Sequence, residues 1–217
     1  MSDVIDLTFT IENNMPTCGT EWHAHAYIEP MGKIETVGRN THRIVLGSHM
    51  GTHMDAPYHF LNQGATIEQL PIEKMIGPIE IVDLTRMGQG CVVEVDDICK
   101  CRLGKRILLK YGWYKKWKSD LYYKDFPYLS IETAQFLIDK GVEFIAMDTP
   151  SPDPGMNIYS SQDSAVHKLF LKNDIIIVEY LNNTELLKPN ISYELVVLPL
   201  KVCGCDGAPC RAIARQI

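Results

Sequence analysis

The sequence predicts a mixed α/β fold of the α+β kind, a single strand-rich domain over 1–217 with few helices. Three observations lead there. Runs rich in β-branched and large apolar residues outnumber helical signals, and the two kinds do not alternate strictly. Neither composition nor charge shifts enough along the 217 residues to mark a domain boundary, and no internal repeat is present. A hydrophobic share of 46% and a charged share of 22% are those of an ordinary globular protein with a sizeable core.

Taken in order, strand-like runs fall at Val4–Thr10, Arg43–Leu46, Ile79–Leu84, Arg106–Lys110, Phe144–Met147, Ile175–Glu179 and Glu194–Leu198. Ser130 has the side-chain oxygen of an N-cap for a helix over Ile131–Lys140, and Gly141 suits a left-handed C-cap. A second helix is expected over Ser161–Leu171, closed by Asn173, with short helical turns at Pro71–Ile76 and Val95–Cys99. Three stretches read as loops: Glu12–Glu29, the aromatic- and lysine-rich Lys110–Tyr128, and the proline-rich Thr149–Gly155. Long loops in a compact domain tend to carry function.

A net charge of −6 supplies no basic face for nucleic acid. No apolar run is long enough to span a bilayer, and Met1–Asp6 lacks both a basic leader and an apolar signal core. The expectation is a cytoplasmic protein without nucleic-acid or membrane partners. Seven cysteines without a leader argue against a disulfide framework, and Cys99-Lys100-Cys101 and Cys203-Gly204-Cys205 are spaced too tightly for a structural zinc pair. Reduced, mostly packed thiols are expected.

The chemistry concentrates in His49-Met50-Gly51-Thr52-His53-Met54-Asp55-Ala56-Pro57-Tyr58-His59, which places three histidines and an aspartate in eleven positions. Borderline divalent cations take imidazole nitrogen and carboxylate oxygen together, so these residue types point to a metal. Gly51 and Pro57 disfavour a helix interior and mark a shaped loop that can aim several side chains at one point. Met50 and Met54 between them read as packing. His167, in the second predicted helix, and Glu179, ending a strand, would each be unremarkable alone.

With the first cluster, these two residues resemble a known pattern. The run from His49 to His59 matches, without departure, the signature of the cyclase family of metal-dependent hydrolases: His-x-Gly-Thr-His-x-Asp-x-Pro-x-His. The likeness continues through Asp148-Thr149-Pro150-Ser151-Pro152-Asp153, His167, Glu179 with Tyr180-Leu181-Asn182-Asn183, Leu198-Pro199-Leu200 and Gly207-Ala208-Pro209-Cys210-Arg211. The resemblance implies that His49, His53 and Asp55 bind a first divalent ion and His167 a second. Asp55 and Glu179 are then placed to bridge the pair, and His59 is left as the acid/base residue. It also implies a swivelling β/β/α-type fold and a homodimer or homotetramer in which a neighbouring subunit borders the site. The carboxylate at Glu179 looks more like the formamidase branch than the isatin-hydrolase branch.

The physical reading agrees: three imidazoles and two carboxylates can hold one or two ions, zinc or manganese, that activate water and polarise a carbonyl. His59 titrates in the range useful for protonating a leaving group, and no Gly-x-Ser-x-Gly elbow argues for a covalent route. The expected reaction is cleavage of a C–N bond in an amide, formamide or cyclic amide, with an arylformamide such as N-formylkynurenine as the leading substrate. Ester or lactone hydrolysis, or a cyclisation or dehydration at the same metals, is the alternative within this site. A metal-binding protein without turnover is the alternative of another class. Trp22 is the candidate ring-stacking contact, although the family's aromatic-Pro-Gly-Asp turn is replaced here by Met15-Pro16-Thr17-Cys18. His23 and His25 read as a solvent-exposed pair, and Lys110–Lys118 as a solvated face.

Overall fold

The computed structural model describes residues 3–155, 163–188 and 191–217. In chain order its strands are β1 (Val4–Asp6), β2 (Tyr27–Gly32), β3 (Thr41–Val45), β4 (His53–Asp55), β5 (Ile76–Asp83), β6 (Val92–Val93), β7 (Arg106–Lys110), β8 (Tyr128–Leu129), β9 (Phe144–Met147), β10 (Ile176–Glu179), β11 (Tyr193–Pro199) and β12 (Gly207–Gln216). The helices are α1 (Ile34–Val37), α2 (Val95–Ile98), α3 (Ile131–Asp139) and α4 (Ala165–Lys172). The strand-rich α+β class expected from the sequence is the one observed.

Eight strands form one sheet in the order β1-β12-β11-β5-β7-β9-β10-β4, and β4 also pairs with β12, so the sheet closes into a barrel. The consecutive pairs β5–β7, β7–β9 and β9–β10 are parallel, and the remaining pairs are antiparallel. Parallel strands covered on both faces read as unbroken apolar runs, as Arg106–Lys110 and Phe144–Met147 do. Their side chains alternate between two cores. Leu108, Phe144, Ala146, Ile176 and Val178 fill the barrel with Met54, Leu195, Val197, Ala212 and Ala214. Ile107, Leu109, Ile145, Met147 and Ile177 face outward and meet Ala134 and Leu137 of α3 and Val166, Phe170 and Leu171 of α4.

Ser130 caps α3 as expected, its Oγ accepting from Thr133 N at 3.1 Å, and Gly141 adopts φ 78° just beyond Lys140. The second helix is shorter than expected. It begins at Ala165 and ends at Lys172 before Asn173, while Ser161 and Gln162 of the expected span lie outside the described residues. The short turns at Ile72–Lys74 and α2 are present. Five strands were not expected: β6 and β8, of two residues each, and β2, β4 and β12. β12 lacks the usual signal because Gly207, Ala208, Pro209 and Cys210 are neither β-branched nor aromatic. β4 is only three residues long, between the loop-marking Gly51 and Pro57, and β2 contains Pro30 and Gly32. The β2–β3 hairpin stands away from the barrel, and every residue of β3 is exposed.

Leu108 is fully buried on a central strand of the barrel. Leu108→Ala is expected to cost about 2–5 kcal/mol by loss of transfer energy plus a cavity, measured as a lower urea midpoint with unchanged slope.

Candidate metal centre

β4 builds one side of the site. Residues two apart on a strand share a face, so with Met54 inside the barrel, His53 and Asp55 point out toward α4. The pairing of β10 with β4 sets Glu179 opposite His53, on that same outer face. The motif's other residues shape this segment. Gly51 takes φ 57°, a left-handed conformation suited to glycine, and its carbonyl accepts from His53 Nδ1 at 2.8 Å. Thr52 is buried, donating from Oγ1 to the Tyr180 carbonyl at 2.6 Å and accepting from Phe9 N at 2.9 Å. Pro57 opens a short 3₁₀ turn, Pro57–His59, that carries His59 to the rim.

The side chains converge. Nδ1 of His49 lies 2.8 Å from Asp55 Oδ1, and His53 Nε2 lies 3.3 Å from Asp55 Oδ1 and 3.4 Å from Glu179 Oε2. Nε2 of His167 lies 3.0 Å from Glu179 Oε1 and 3.5 Å from Asp55 Oδ2. Donor atoms of His49, His53 and Asp55 all lie within 4.8 Å of one another, as do those of Asp55, His167 and Glu179. Asp55 therefore belongs to both sets. None of the donor clusters among the described residues includes a cysteine, and all seven cysteines are free.

The charge balance suits a cation. Burial opposes a charge on His49, but Asp55 and Asp206 more than offset it and push its pKa up to about 10. Burial likewise opposes a charge on His167, yet Asp153, Asp55 and Glu179 hold its pKa well above the usual histidine value. Burial alone would raise the Asp55 pKa, but His49, His167 and His53 hold it well below the carboxylate range. Asp55 Oδ2 is nonetheless buried without a hydrogen-bond partner of good geometry, although His167 stands near. An orphaned anionic oxygen facing imidazole nitrogens fits a divalent ion.

Two carboxylates outside the expected set orient these imidazoles. Asp153 accepts from Val166 N at 2.7 Å and His167 N at 2.9 Å, and its Oδ2 takes His167 Nδ1 at 2.7 Å. That bond tethers the start of α4 and turns His167 Nε2 inward. Asp206 Oδ2 lies 2.7 Å from His49 Nε2 and 3.0 Å from His59 Nδ1. Such outer carboxylates fix imidazole orientation and raise ligand basicity. The signal for Asp153 was its place at the end of the Asp148–Asp153 run. Asp206, beside the Gly207–Arg211 run, showed none until β12 was seen to pair with β4.

A cavity of about 740 Å³ opens onto these groups and is walled by Phe60, Tyr123, Phe126, Tyr128 and Tyr180. Trp22 is 62% exposed and does not line it; among the described residues its indole meets the ring of His23, at 6.5 Å, and no other ring. His23 and His25 are not a matched exposed pair. His25 is exposed, but His23 is half-buried on the cavity wall, with Nδ1 2.8 Å from Cys18 Sγ. Burial, with the neighbouring His49, His53 and His59, pushes the His23 pKa down to about 4. Lys110 also departs from a solvated face: it is buried and donates to the Leu187 carbonyl at 3.0 Å.

Imidazoles and carboxylates gathered at one edge of a closed sheet define a candidate metal centre, and comparisons with known proteins agree with that class. The model of the Cyclase family matches residues 5–154. A kynurenine formamidase of Bacillus cereus is 30% identical over 217 residues, covering 100% of this chain and 99% of its own. A solved structure described as a potential metal-dependent hydrolase with cyclase activity is 26% identical, with a TM-score of 0.76 over 97% of this chain and 96% of its own. Isatin hydrolase A from Labrenzia aggregata shares the fold at 21% identity, with a TM-score of 0.86 over 97% of this chain and 92% of its own. The chain belongs to the cyclase family.

Gly207 leaves the space in which His49 sits: a Cβ there would lie 2.8 Å from the Met54 carbonyl and 3.0 Å from His49 Cε1. Gly207→Ala is expected to weaken divalent-ion binding by about 10–100-fold by displacing His49. Chelator competition checks this, and wild-type affinity would show that His49 tolerates the shift.

Proposed function

We propose that this chain is a metal-dependent hydrolase that cleaves the C–N bond of an amide, formamide or cyclic amide, with an arylformamide as the leading substrate class. The observation that carries the reading is the pair of donor sets sharing Asp55 at a cavity into which His59 also faces. His49, His53 and Asp55 would hold one divalent ion and Asp55, His167 and Glu179 a second, with zinc first and manganese second by donor type. When bound, the metal polarises the substrate carbonyl and makes water nucleophilic near neutral pH.

The protein's own groups do the rest. His53 Nδ1 and His167 Nδ1 are engaged by Gly51 O and Asp153, which leaves each Nε2 to face the centre. His59, half-buried on its 3₁₀ turn, would accept a proton from the attacking water and deliver it to the leaving nitrogen. The aromatic wall favours a planar ring beside the scissile carbonyl; Trp22, outside that wall and next to the ring of His23, is proposed as a further contact for such a ring. The similarity to kynurenine formamidase supports the formamide preference. An unneeded acid/base group would be idle in a protein that only stored metal. A second copy of the chain is the proposed cover for Tyr27, Met31, Ile34, Val37, Ile44 and Val45, all exposed on the β2–β3 arm.

After reconstitution with zinc or manganese, the chain is expected to hydrolyse aryl formamides with higher kcat/KM than matched alkyl formamides, esters or lactones. His59→Ala should keep its metal and lose roughly 10²–10⁴-fold in kcat, whereas Asp55→Ala should lose metal and activity together. Wild-type turnover by His59→Ala would remove its role as proton carrier. Trp22→Ala should raise KM for the aryl substrate more than it lowers kcat, because stacking binds ground and transition states alike. Equal kcat/KM for aryl and alkyl substrates would remove the aromatic preference and leave the hydrolase.

A further inference from the structure

We propose that Asp206 is a positioning residue that holds the proposed proton carrier His59 and the proposed metal ligand His49 on a single carboxylate oxygen. The inference rests on the hydrolase reading above for its His59 half and on the metal centre alone for its His49 half.

Asp206 Oδ2 lies 2.7 Å from His49 Nε2 and 3.0 Å from His59 Nδ1, and the two rings lie against each other with centroids 3.9 Å apart. A carboxylate held ionised only accepts hydrogen bonds, so each ring nitrogen facing it carries its proton. His49 is thereby held with Nε2–H on Asp206, which leaves Nδ1, 2.8 Å from Asp55 Oδ1, as the nitrogen that would meet an ion. His59 is fixed with Nδ1–H on Asp206, which leaves Nε2 as the nitrogen free to take and return a proton. Among the described residues no hydrogen bond engages that Nε2. Throughout the reaction Asp206 neither gains nor loses the proton; it keeps the His59 tautomer and ring angle constant.

The backbone makes this placement rigid. Asp206 O accepts from Ala56 N at 2.9 Å, and the next residue, Gly207, pairs with Asp55 across β12 and β4. The carboxylate is thus in register with the ligand strand, while the adjacent 3₁₀ turn brings His59 to it. An ordinary surface ion pair has little effect on anything. One oxygen shared by a metal ligand and a proton carrier ties the two together, because a shift of either ring changes the hydrogen bond to the other.

The test uses the full chain loaded with saturating zinc and a series of ring-substituted formanilides, from nitro to methoxy. Asp206→Asn and Asp206→Ala are compared in the wild-type and His59→Ala backgrounds. The amide can donate to His59 Nδ1 and select the wrong tautomer, an exchange that costs up to about 10⁴-fold in a serine-protease triad. Both variants are expected to lower kcat at least tenfold with KM changed less than threefold. The loss should be greatest for the methoxy compound, whose leaving nitrogen most needs a proton, and Asp206→Ala should add less than threefold to His59→Ala. Zinc affinity from chelator competition should fall about 10–100-fold, as for other outer partners of metal-bound histidines.

Wild-type kcat in Asp206→Ala, a loss equal across the series, or a full multiplicative loss on His59→Ala would overturn the His59 half. Unchanged zinc affinity would overturn the His49 half. If wild type hydrolyses no formanilide, the proposed substrate class fails instead, and zinc competition still decides whether Asp206 supports His49.

Discussion

Residues His53 to Asp55 are hydrogen-bonded to β10 along one edge and to β12 along the other, and this double pairing both closes the barrel and aims the donors. The register against β10 sets His53 across from Glu179, and that against β12 sets Asp55 across from Gly207, one residue after Asp206. A slip of one residue would turn His53 and Asp55 into the barrel and Met54 out of it. Met54 is fully buried among Leu108, Ala146 and Val178, so the apolar interior resists that slip. Packing on one face of a three-residue strand thus fixes which side chains the other face presents. No strain need be invoked, because the pleat alone separates the two sets.

The charges balance by the same economy. Asp55, Asp153, Glu179 and Asp206 face His49, His53, His59 and His167, and most of these side chains are shielded from water. Burying a carboxylate or an imidazolium alone would be costly, and mutual pairing supplies the compensation. The inner carboxylates Asp55 and Glu179 face the centre, whereas Asp153 and Asp206 stand behind imidazoles. The difference in position assigns the difference in work, one pair toward an ion and the other toward the rings that would hold it. Acidification would protonate the ligands and favour loss of an ion, since coordination requires deprotonated donors.

Much of this was legible in the sequence where local pattern and tertiary role coincide. The parallel strands are buried on both faces, so their apolar runs announce them, and Ser130 and Gly141 bracket α3 by local cap chemistry. The run from His49 to His59 carries its donors close together, and its glycine, threonine and proline each have the shaping role that such a run needs. β12 was silent because its inward residues, Ala208, Ala212 and Ala214, are small where strands crowd together. Asp206 carries no signal because a single acid has no period, and only the placement of β12 gives it its histidines, whereas Asp153 lies within the Asp148–Asp153 run. The burial of His23 is invisible for a related reason: although Cys18 lies in its own loop, the ring of His49 comes from a separate segment.

Tyr180 shows how the wall and the ligands are made together. It follows Glu179 directly and adopts φ 58°, a left-handed conformation that is an outlier for a bulky side chain and costs roughly 1–3 kcal/mol. Two hydrogen bonds hold it there. Its N–H donates to the Thr149 carbonyl at 3.2 Å, and its carbonyl accepts from Thr52 Oγ1 at 2.6 Å. The turn ends β10 as soon as Glu179 has been delivered and sets the Tyr180 ring 5.2 Å from that of His53, on the cavity wall. Thr52 therefore links the two halves of the site. It sits beside His53 in β4 and, through its hydroxyl, stabilises the bend after Glu179 in β10. A hydroxyl at this position is explained by the carbonyl it meets, and the aromatic character of the cavity follows from the same bend that frees the last carboxylate of the centre.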